Sequence, residues 1–313
     1  MILITEFMDA AAVADLEARF EAVYRPDLAD DQAAIPALLA DKKALIVRNR
    51  TKVTAELLSA APGLTCVGRL GVGLDNIDQE ACAARDVTVY PATGANNLSV
   101  AEYVICTAMM LLRGAYQRNT QMLAGEWPRG AASGREIAGK VLGLVGYGAI
   151  ARDTAALARG LGMQIIGYDP FLSEDHPAWE GTTRAELPAL LAQSDVVSLH
   201  VPLTEGTRHI IGAEALAGMK DDAILINAAR GGVVDETALI AALKAGTLGG
   251  AALDVFETEP LSAGAGQAFS DVPNLVLTPH IGGVTVESNT RVSAMIAQVV
   301  GRHLARHGSG SDG

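Results

Sequence analysis

The stretch Val141-Leu-Gly-Leu-Val-Gly146-Tyr-Gly148-Ala-Ile-Ala151 decides the fold of this 313-residue chain. Its first five residues have the apolar character of a short buried strand. The glycines after them permit a tight turn that lets backbone amides approach a pyrophosphate. The helical pattern that follows, to Leu161, directs its positive N-terminus at the same group. A second apolar run ends at Asp169, 23 residues after Gly146, where a ribose-binding carboxylate belongs. Strand, glycine turn, helix, strand and acid in this order predict a dinucleotide-binding unit.

The position of this motif, with 140 residues before it, predicts another domain on its N-terminal side. The first ninety residues alternate apolar β-type runs with helical patterns, which is typical of a small parallel-sheet α/β domain. We expect strands at Ile2–Ile4, Ala44–Val47, Cys66–Gly68 and Val87–Tyr90, and helices near Ala10–Phe20, Gln32–Ala40, Thr54–Ala60 and Asp78–Ala84.

The residues after the motif predict a larger sheet of six strands. These are Val141–Val145, Gln164–Tyr168, Val196–His200, Ala223–Asn227, Gly250–Asp254 and Leu275–Thr278. A last helix, from about Val284 to His307, is expected to return to the first domain, and residues 308–313 have the composition of a disordered tail. We therefore predict two doubly wound parallel-sheet α/β domains. A Rossmann nucleotide domain, 97–284, is inserted in a discontinuous flavodoxin-like substrate domain, 1–96 and 285–313.

A helix from Leu98 to about Gly125 is predicted to be the longest before the glycine motif. Ser99-Val-Ala-Glu102 has the spacing of a capping box at its start, and Thr183-Arg-Ala-Glu186 has the same spacing later in the chain. The helix is apolar almost all round, so it must be buried on more than one side. A domain-bridging or dimer-forming helix satisfies that requirement, and a homodimer with twofold symmetry is the commonest closed assembly for such a surface.

Composition disfavours several classes of partner and site. The chain has 36 acidic and 24 basic residues, a net charge of −12, which disfavours binding to nucleic acid or to an anionic membrane. Its three cysteines have no CxxC spacing, and His303 and His307 lack a third ligand nearby, so no metal site is predicted. Neither a signal peptide nor a membrane-spanning run is evident, which predicts a cytoplasmic protein.

Polar residues follow several of the predicted strands at their carboxyl ends, where ligands bind in doubly wound sheets. They supply a cation, carboxylates and imidazoles beside the place expected for a nicotinamide. Hydride transfer to a ketone requires that combination. These residues are His200, Arg230, Asp254, Glu259 and His280.

Several segments resemble the signature sequences of the D-2-hydroxyacid dehydrogenases, and the resemblance runs from about Leu45 to Val286. The segments are Arg69-Leu-Gly71-Val-Gly73-Leu-Asp75, Ser99-Val-Ala-Glu102, His200-Val-Pro202-Leu-Thr204, Asn227-Ala-Ala-Arg230-Gly-Gly-Val-Val-Asp235, Ala252-Leu-Asp254-Val-Phe-Glu-Thr-Glu259-Pro and Thr278-Pro-His280-Ile-Gly-Gly. The resemblance implies an NAD-dependent oxidoreductase that acts on a small anionic 2-hydroxy or 2-keto acid.

The resemblance also implies a catalytic set of Arg230, Glu259 and His280. His280 would exchange a proton with the substrate oxygen. Glu259 would hold the far ring nitrogen and favour the charged imidazole, and Arg230 would bind the substrate carboxylate. The cofactor set it implies is Gly146, Gly148, Ala149, Ile150, Asp169, His200, Pro202, Thr207, Ala228, Arg230, Asp254, His280 and Gly283. The substrate set is Arg69, Gly71, Val72, Gly73, Asn96, Arg230 and His280.

Cofactor and substrate choice follow from charges near these positions. Asp169 should repel a 2′-phosphate, and the adjoining Pro170-Phe171-Leu172 offers no arginine to receive one, so NAD is expected rather than NADP. Four basic residues near strand ends of the first domain are able to bind a second anionic group on the substrate, as in phosphoglycerate or sulfolactate; the other reading is that most of them are simply solvated. They are Arg48, Arg50, Lys52 and Arg69.

Other interpretations stay open at this point. Within the same enzyme class the chain has the features of a hydroxypyruvate or glyoxylate reductase. Relatives of the fold also act as NAD(H)-sensing corepressors, a binding function with little turnover. The family's frequent aromatic residue after Trp127 is missing, since this chain has Gly130-Ala-Ala-Ser133 there. Glu259 replaces the glutamine of formate dehydrogenases, which argues against formate. We expect no C-terminal regulatory domain like that of the longer phosphoglycerate dehydrogenases.

Overall fold

A computed structural model describes residues 1–308. The chain divides into two compact units, a first unit of Met1–Asn96 together with the residues from Val284 onward, and a second unit of Asn97–Gly283. Of the predicted tail, all but Gly308 lies outside the described residues.

In chain order, the strands are β1 Ile2–Ile4, β2 Ala22–Tyr24, β3 Ala44–Val47, β4 Cys66–Arg69, β5 Thr88–Pro91, β6 Val141–Val145, β7 Gln164–Tyr168, β8 Thr183–Arg184, β9 Val196–Leu199, β10 Ile224–Asn227, β11 Gly250–Leu253 and β12 Leu275–Leu277. The α-helices are α1 Ala10–Glu17, α2 Ile35–Leu39, α3 Ala55–Ser59, α4 Gln79–Ala83, α5 Asn97–Arg113, α6 Asn119–Leu123, α7 Ala149–Gly160, α8 Leu187–Gln193, α9 Ala213–Ala217, α10 Glu236–Ala245, α11 Ala263–Gly266 and α12 Val286–Gly308.

The first unit is a five-stranded parallel sheet in the order β2-β1-β3-β4-β5, which is the flavodoxin order. Its central strands are continuous apolar runs because helices cover both faces. Ile2, Ile4 and Ile46 pack with α1 and α12 on one face, whereas Leu3 and Leu45 pack with α2, α3 and α4 on the other. The last helix therefore belongs to the core of the first unit.

The second unit is a seven-stranded parallel sheet in the order β12-β11-β10-β9-β6-β7-β8. Counted from β6, this is the dinucleotide-binding order 3-2-1-4-5-6 with a further strand at one edge. The order reverses between β6 and β9, and the carboxyl ends of these strands form the edge at which ligands bind in such sheets. The predicted fold class, two doubly wound parallel-sheet α/β domains, is confirmed.

Several local predictions were wrong, and each error has a physical reason. The long helix does not reach Gly125, because α5 ends at Arg113 and Gly114 follows in the left-handed conformation (φ +60°) that terminates helices. Neither capping box forms, since Ser99 lies inside the first turn of α5 and Thr183 belongs to β8. The edge strands β2 and β8 were not predicted.

Candidate active site

The glycine turn after β6 has the geometry that a pyrophosphate site requires. Gly146 has φ +83°, and a Cβ there would lie 2.7 Å from the carbonyl oxygen of His200. Gly148 precedes the twelve-residue helix α7, and nothing lies within 4 Å of the place a Cβ would occupy. The backbone N–H groups of Ala149 and Ile150 open that helix. The turn is therefore a glycine cradle at a helix N-terminus, which fits the pyrophosphate of a dinucleotide.

Asp169 follows β7 and faces the same turn. Its Oδ2 accepts a hydrogen bond from the N–H of Tyr147 at 2.9 Å, and its Oδ1 accepts one from the N–H of Phe171, also at 2.9 Å. Each carboxylate oxygen has a second lone pair, so the half-buried side chain is oriented and still able to accept from ribose hydroxyls. Its charge and position fit an adenosine ribose without a 2′-phosphate.

Tyr147, between the two glycines, is a residue that the sequence reasoning missed. Its ring is buried and stacks on Trp179 with centroids 4.8 Å apart, and its hydroxyl bonds to that of Thr182. Arg159 donates to the same threonine and, at 3.1 Å, to the carbonyl oxygen of Gly181. The aromatic residue thus ties the glycine turn to the segment before β8. A large aromatic side chain in the glycine motif was the available signal.

The segment after β9 lies against the glycine turn. Burial lowers the pKa of His200 to about 4, so its ring is neutral at pH 7, and Nε2 lies 3.0 Å from the Ser198 hydroxyl. The hydroxyl of Thr207 donates to the carbonyl oxygen of Pro202 at 2.6 Å and accepts from the N–H of Thr204 at 2.8 Å. These bonds close a turn that carries Pro202 and Thr207, two of the residues predicted to line the cofactor site, and His200 precedes it.

His280 and Glu259 form a hydrogen-bonded pair. His280 Nδ1 lies 2.7 Å from Glu259 Oε2, and Glu259 Oε1 accepts from the N–H of Phe256 at 3.0 Å. Burial alone would raise the pKa of Glu259. The bond to His280, the bond from Phe256 and the nearby charge of Arg230 outweigh it and hold that pKa below its ordinary value. The carboxylate is therefore ionised at neutral pH and fixes one ring nitrogen of a half-exposed histidine.

The loop that carries His280 is held by the buried carboxylate of Asp254. Its Oδ1 accepts from the Thr278 hydroxyl at 2.6 Å and from the N–H of Ile281 at 2.8 Å, and its Oδ2 accepts from the N–H of Gly282 at 2.7 Å. Tyr103 of α5 extends this network, since its hydroxyl lies 2.7 Å from that of Thr278. His280 has φ +56°, a conformation that side chains other than glycine rarely adopt. The Asp254 bonds on both sides hold this backbone in place.

Arg230 follows β10, close to the Glu259 loop. Its Nη1 donates to the carbonyl oxygen of Ala229 at 2.6 Å. A Cβ on the next residue, Gly231, would lie 1.7 Å from the carbonyl oxygen of Phe256, so the two loops meet backbone to backbone. Ala228 precedes this contact and lies beside Gly282. The second unit thus brings together the three residues predicted to be catalytic; Gly283 is its last residue.

The remaining predicted substrate residues belong to the first unit. Arg69 ends β4, and its Nη1 donates to the carbonyl oxygen of Leu70 at 2.9 Å while the guanidinium covers Gly71. Val72 and Gly73 are half-buried in the turn that follows. Asn96 lies beyond β5, and within residues 1–308 its buried Oδ1 accepts no hydrogen bond. An unsatisfied amide oxygen of this kind is a ready acceptor for a ligand.

The four basic residues near the strand ends of this unit have different surroundings. Arg50 forms an ion pair with Asp30, and Lys52 is exposed. Arg48 is half-buried, its Nη2 donates to Asn289 Oδ1 at 2.9 Å, and its guanidinium lies 5.9 Å from the ring centre of Phe7. Burial lowers the pKa of Arg48, and no carboxylate among residues 1–308 lies within ion-pair distance of it.

Neither a metal centre nor a membrane span is found in the described part of the chain. No three His, Cys, Asp or Glu side chains of residues 1–308 are placed to bind one metal ion. His303 instead stacks on His307 at 4.2 Å and bonds with Tyr90 and Thr65. No described helix has the length and apolar character that crossing a membrane requires.

Known proteins resemble this chain in sequence and in structure. The family model of the D-isomer specific 2-hydroxyacid dehydrogenase, NAD binding domain, matches residues 105–282. An (S)-sulfolactate dehydrogenase of Chromohalobacter salexigens is 56% identical over 304 residues, which cover 97% of this chain and 98% of that protein. A hydroxypyruvate reductase of Thermotoga maritima is 40% identical over 260 residues, 83% of this chain and 84% of that protein. The structure of a D-lactate dehydrogenase of Aquifex aeolicus, complexed with NAD and lactic acid, superimposes with a TM-score of 0.84 at 28% identity, covering 98% of this chain and 96% of that one.

Proposed function

The chain belongs to the D-isomer specific 2-hydroxyacid dehydrogenases, and from this premise we propose that its substrate is a three-carbon 2-hydroxy acid with a second anionic group, namely sulfolactate. It is an NAD-dependent oxidoreductase that acts on the CH–OH group of a small hydroxy acid. The proposal concerns which acid it takes and which side chains perform the reaction.

The proposed mechanism assigns one role to each member of the Arg230, Glu259 and His280 set. NAD(H), held by the residues predicted to line the cofactor site, would accept or supply the hydride. His280 Nε2, the ring nitrogen not bonded to Glu259, exchanges a proton with the substrate oxygen. Glu259 keeps the other nitrogen protonated and stabilises the imidazolium. Arg230 presents a planar fork that binds the substrate carboxylate and polarises the neighbouring carbonyl oxygen.

The observation that supports a second anionic group is the half-buried Arg48. A guanidinium removed from water is costly unless an anion or several acceptors compensate it. Among residues 1–308, the Arg48 guanidinium has one amide oxygen as a hydrogen-bond partner. Arg48 follows β3 directly, and Arg69 ends the neighbouring β4, where it lies opposite Val47. Two arginines at one edge of the first sheet, in a chain of net charge −12, favour a sulfonate or phosphate on the substrate.

A panel of 2-keto acids tests this proposal by NADH oxidation. We expect kcat/KM to be highest with sulfopyruvate, then phosphohydroxypyruvate, and lower with hydroxypyruvate, glyoxylate and pyruvate, mainly through KM. The advantage of the doubly charged acids should shrink as salt rises, because ions screen exposed charges within about 8–10 Å at 0.1–0.15 M ionic strength. Equal kcat/KM for hydroxypyruvate and sulfopyruvate would identify a hydroxypyruvate reductase instead. Turnover on none of these acids would favour the NAD(H)-sensing alternative.

Assembly and location remain predictions of the sequence. A homodimer is the simplest way to cover the apolar surface that follows α5, and its test is described in the Discussion. The cytoplasmic location is also a prediction, which fractionation of cells expressing the natural protein would check.

A further inference from the structure

Glu6 is a buried carboxylate that binds the backbone of the loop after β3. It lies two residues beyond β1 and is 3% exposed. Its Oε1 accepts hydrogen bonds from the N–H groups of Arg48 at 2.8 Å and Thr51 at 2.9 Å. Its Oε2 accepts from the N–H groups of Asn49 at 3.3 Å and Arg50 at 3.1 Å. Four consecutive amides therefore converge on one side chain.

The side-chain amide of Asn76 holds the opposite side of the same loop. Nδ2 of Asn76 donates to the carbonyl oxygen of Arg48 at 3.2 Å and to that of Thr51 at 2.7 Å. Thr5, next to Glu6, shares a 2.9 Å hydrogen bond with the hydroxyl of Thr51. Side chains thus bind the N–H groups of residues 48–51 and the carbonyls of Arg48 and Thr51, which gives a surface loop little freedom to move.

The position of Glu6 in the sheet is informative. β1 and β3 are neighbours, and the order β2-β1-β3-β4-β5 reverses between them. The crevice at such a reversal is where doubly wound folds bind their ligands, and consecutive amides of this kind form an anion site. Here the side chain of Glu6 occupies that place, so the amides of residues 48–51 bind a carboxylate of the chain itself.

We propose that Glu6 and Asn76 are positioning residues that set the enzyme's selectivity for a second anionic group by holding the loop that presents Arg48. This proposal rests on the proposed function, in which the Arg48 guanidinium binds that group. Neither residue contacts the substrate. Glu6 and Asn76 fix the backbone of Arg48, and Asn289 and Phe7 orient its side chain. The guanidinium is therefore in position before a ligand binds.

The charge of Glu6 and its hydrogen bonds have opposite effects on anion binding. Its negative charge weakens the positive potential of Arg48 and Arg50, whereas its hydrogen bonds order the loop. If ordering dominates, removal of the carboxylate weakens binding of a doubly charged acid; if only the charge mattered, removal would strengthen it. The sign of the change therefore distinguishes positioning from simple electrostatics.

The test compares Glu6→Gln with the parent enzyme, using the ratio of kcat/KM for sulfopyruvate to kcat/KM for hydroxypyruvate. Glutamine keeps the shape but loses one acceptor oxygen, so the loop shifts. We expect the ratio to fall about tenfold, mainly through KM for sulfopyruvate, since a displacement of about 1 Å can cost as much as 10²-fold. A folded Glu6→Gln enzyme with an unchanged or higher ratio would overturn the proposal.

If this variant does not fold, Asn76→Ala replaces it, because this substitution loosens the same loop from its other side. Asn76→Ala is expected to lower the ratio, and an unchanged ratio would overturn the proposal equally.

Two control variants distinguish a failure of the positioning role from a failure of the proposed function. Asp195→Asn alters another buried carboxylate, which binds the N–H of Val141 at 2.8 Å and Lys220 at 3.1 Å in the second unit, and it should leave the ratio unchanged. Arg48→Gln tests the proposed function itself. If Arg48→Gln leaves the ratio unchanged, the proposed role of Arg48 is wrong. If Arg48→Gln lowers the ratio and Glu6→Gln does not, only the positioning role is wrong.

Discussion

Two carboxylates five residues apart, Asp254 and Glu259, differ in their surroundings, and this difference separates their roles. Asp254 is 1% exposed and accepts three hydrogen bonds from the loop that carries His280. Glu259 is partly exposed and bonds the His280 ring directly. The first shapes the backbone at the histidine, and the second orients its ring. The sequence predicted both residues to belong to the site, but it did not predict the Asp254 contacts.

The His280–Glu259 pair predicts how activity depends on each residue. His280→Ala should lower kcat for reduction by roughly 10²–10⁴-fold with little change in Kd for NADH, because it removes the proposed proton donor. Glu259→Gln should lower kcat less and move the pH optimum for reduction toward acid. In that variant a neutral amide replaces the carboxylate that bonds His280 Nδ1, so the cationic ring that donates the proton has no ionic partner. The pKa of Glu259 is below its ordinary value in the parent enzyme, so its carboxylate stays ionised throughout the neutral range and is lost only in acid. Steady-state pH profiles check both expectations, and a His280→Ala enzyme with the parent kcat would contradict the mechanism.

Asp169 predicts the choice of cofactor. The parent enzyme should prefer NADH over NADPH, and Asp169→Ala should reduce that preference by about tenfold or more, since hydrogen bonds to a charged group contribute about 1.5–3 kcal/mol. Some loss of activity with both cofactors is also expected, because Asp169 binds the N–H of Tyr147 in the glycine turn. Asp153→Ala, which removes an exposed carboxylate from α7, is the matched control. Equal kcat/KM for the two cofactors in the parent enzyme would show that Asp169 does not select between them.

At the scale of elements, sequence patterns predicted the strands that are buried on both faces. β1, β3, β6, β9 and β10 are almost continuous apolar runs, and a run of this kind between helical patterns is a strong indication of a parallel strand. The edge strands β2 and β8 have three and two residues and are only partly buried or exposed, so they lack that pattern. The break after α5 depends on one left-handed glycine, Gly114, whose conformation the apolar pattern does not reveal.

Gly231 lies where the loops after β10 and β11 meet, and it supports a prediction about these elements. Gly231→Ala should destabilise the protein by roughly 1–3 kcal/mol, because its Cβ would overlap a carbonyl oxygen and the backbone must move. The shift separates the Arg230 loop from the Glu259 loop, so kcat/KM should fall as well. Thermal unfolding and steady-state kinetics measure the two effects. Gly264→Ala, in α11 with nothing within 4 Å of its Cβ position, is the control and should change neither. Parent-like kcat/KM in Gly231→Ala would show that this backbone contact does not position the site.

At the scale of the whole molecule, sequence reasoning identified the fold class and the order of the motifs but missed the side-chain networks between distant segments. Spacing within a motif places Thr278 near His280, yet Tyr103, which bonds Thr278, lies 175 residues earlier. The same limit applies to Glu6 and the loop 48–51, which are joined over more than forty residues. A pattern read along the chain shows which residues share an element, whereas these contacts depend on which elements the folded sheet places side by side.

The surface of the segment after α5 supports the prediction of a homodimer. Tyr116 is 68% exposed, Leu123 90% and Trp127 74%, so one short stretch of the acidic chain presents several large apolar side chains to water. Exposed apolar patches of this kind mark protein interfaces, and twofold dimers are the commonest closed assemblies. Sedimentation at micromolar concentration should give a dimer of about twice the 32.4 kDa chain mass.

A substitution at Leu123 tests whether the segment after α5 forms the dimer interface. Leu123→Glu places a charge where the partner's apolar surface is expected, so the variant should sediment as a monomer or dissociate at a concentration at least tenfold higher than the parent. Val286→Glu, at an apolar residue that is 79% exposed at the start of α12, should leave the assembly unchanged. Since Leu123 is 90% exposed in its own chain, the substitution itself should not destabilise the fold of the protomer. A parent protein that is monomeric at micromolar concentration would refute the dimer, and a dimeric Leu123→Glu variant would move the interface away from this segment.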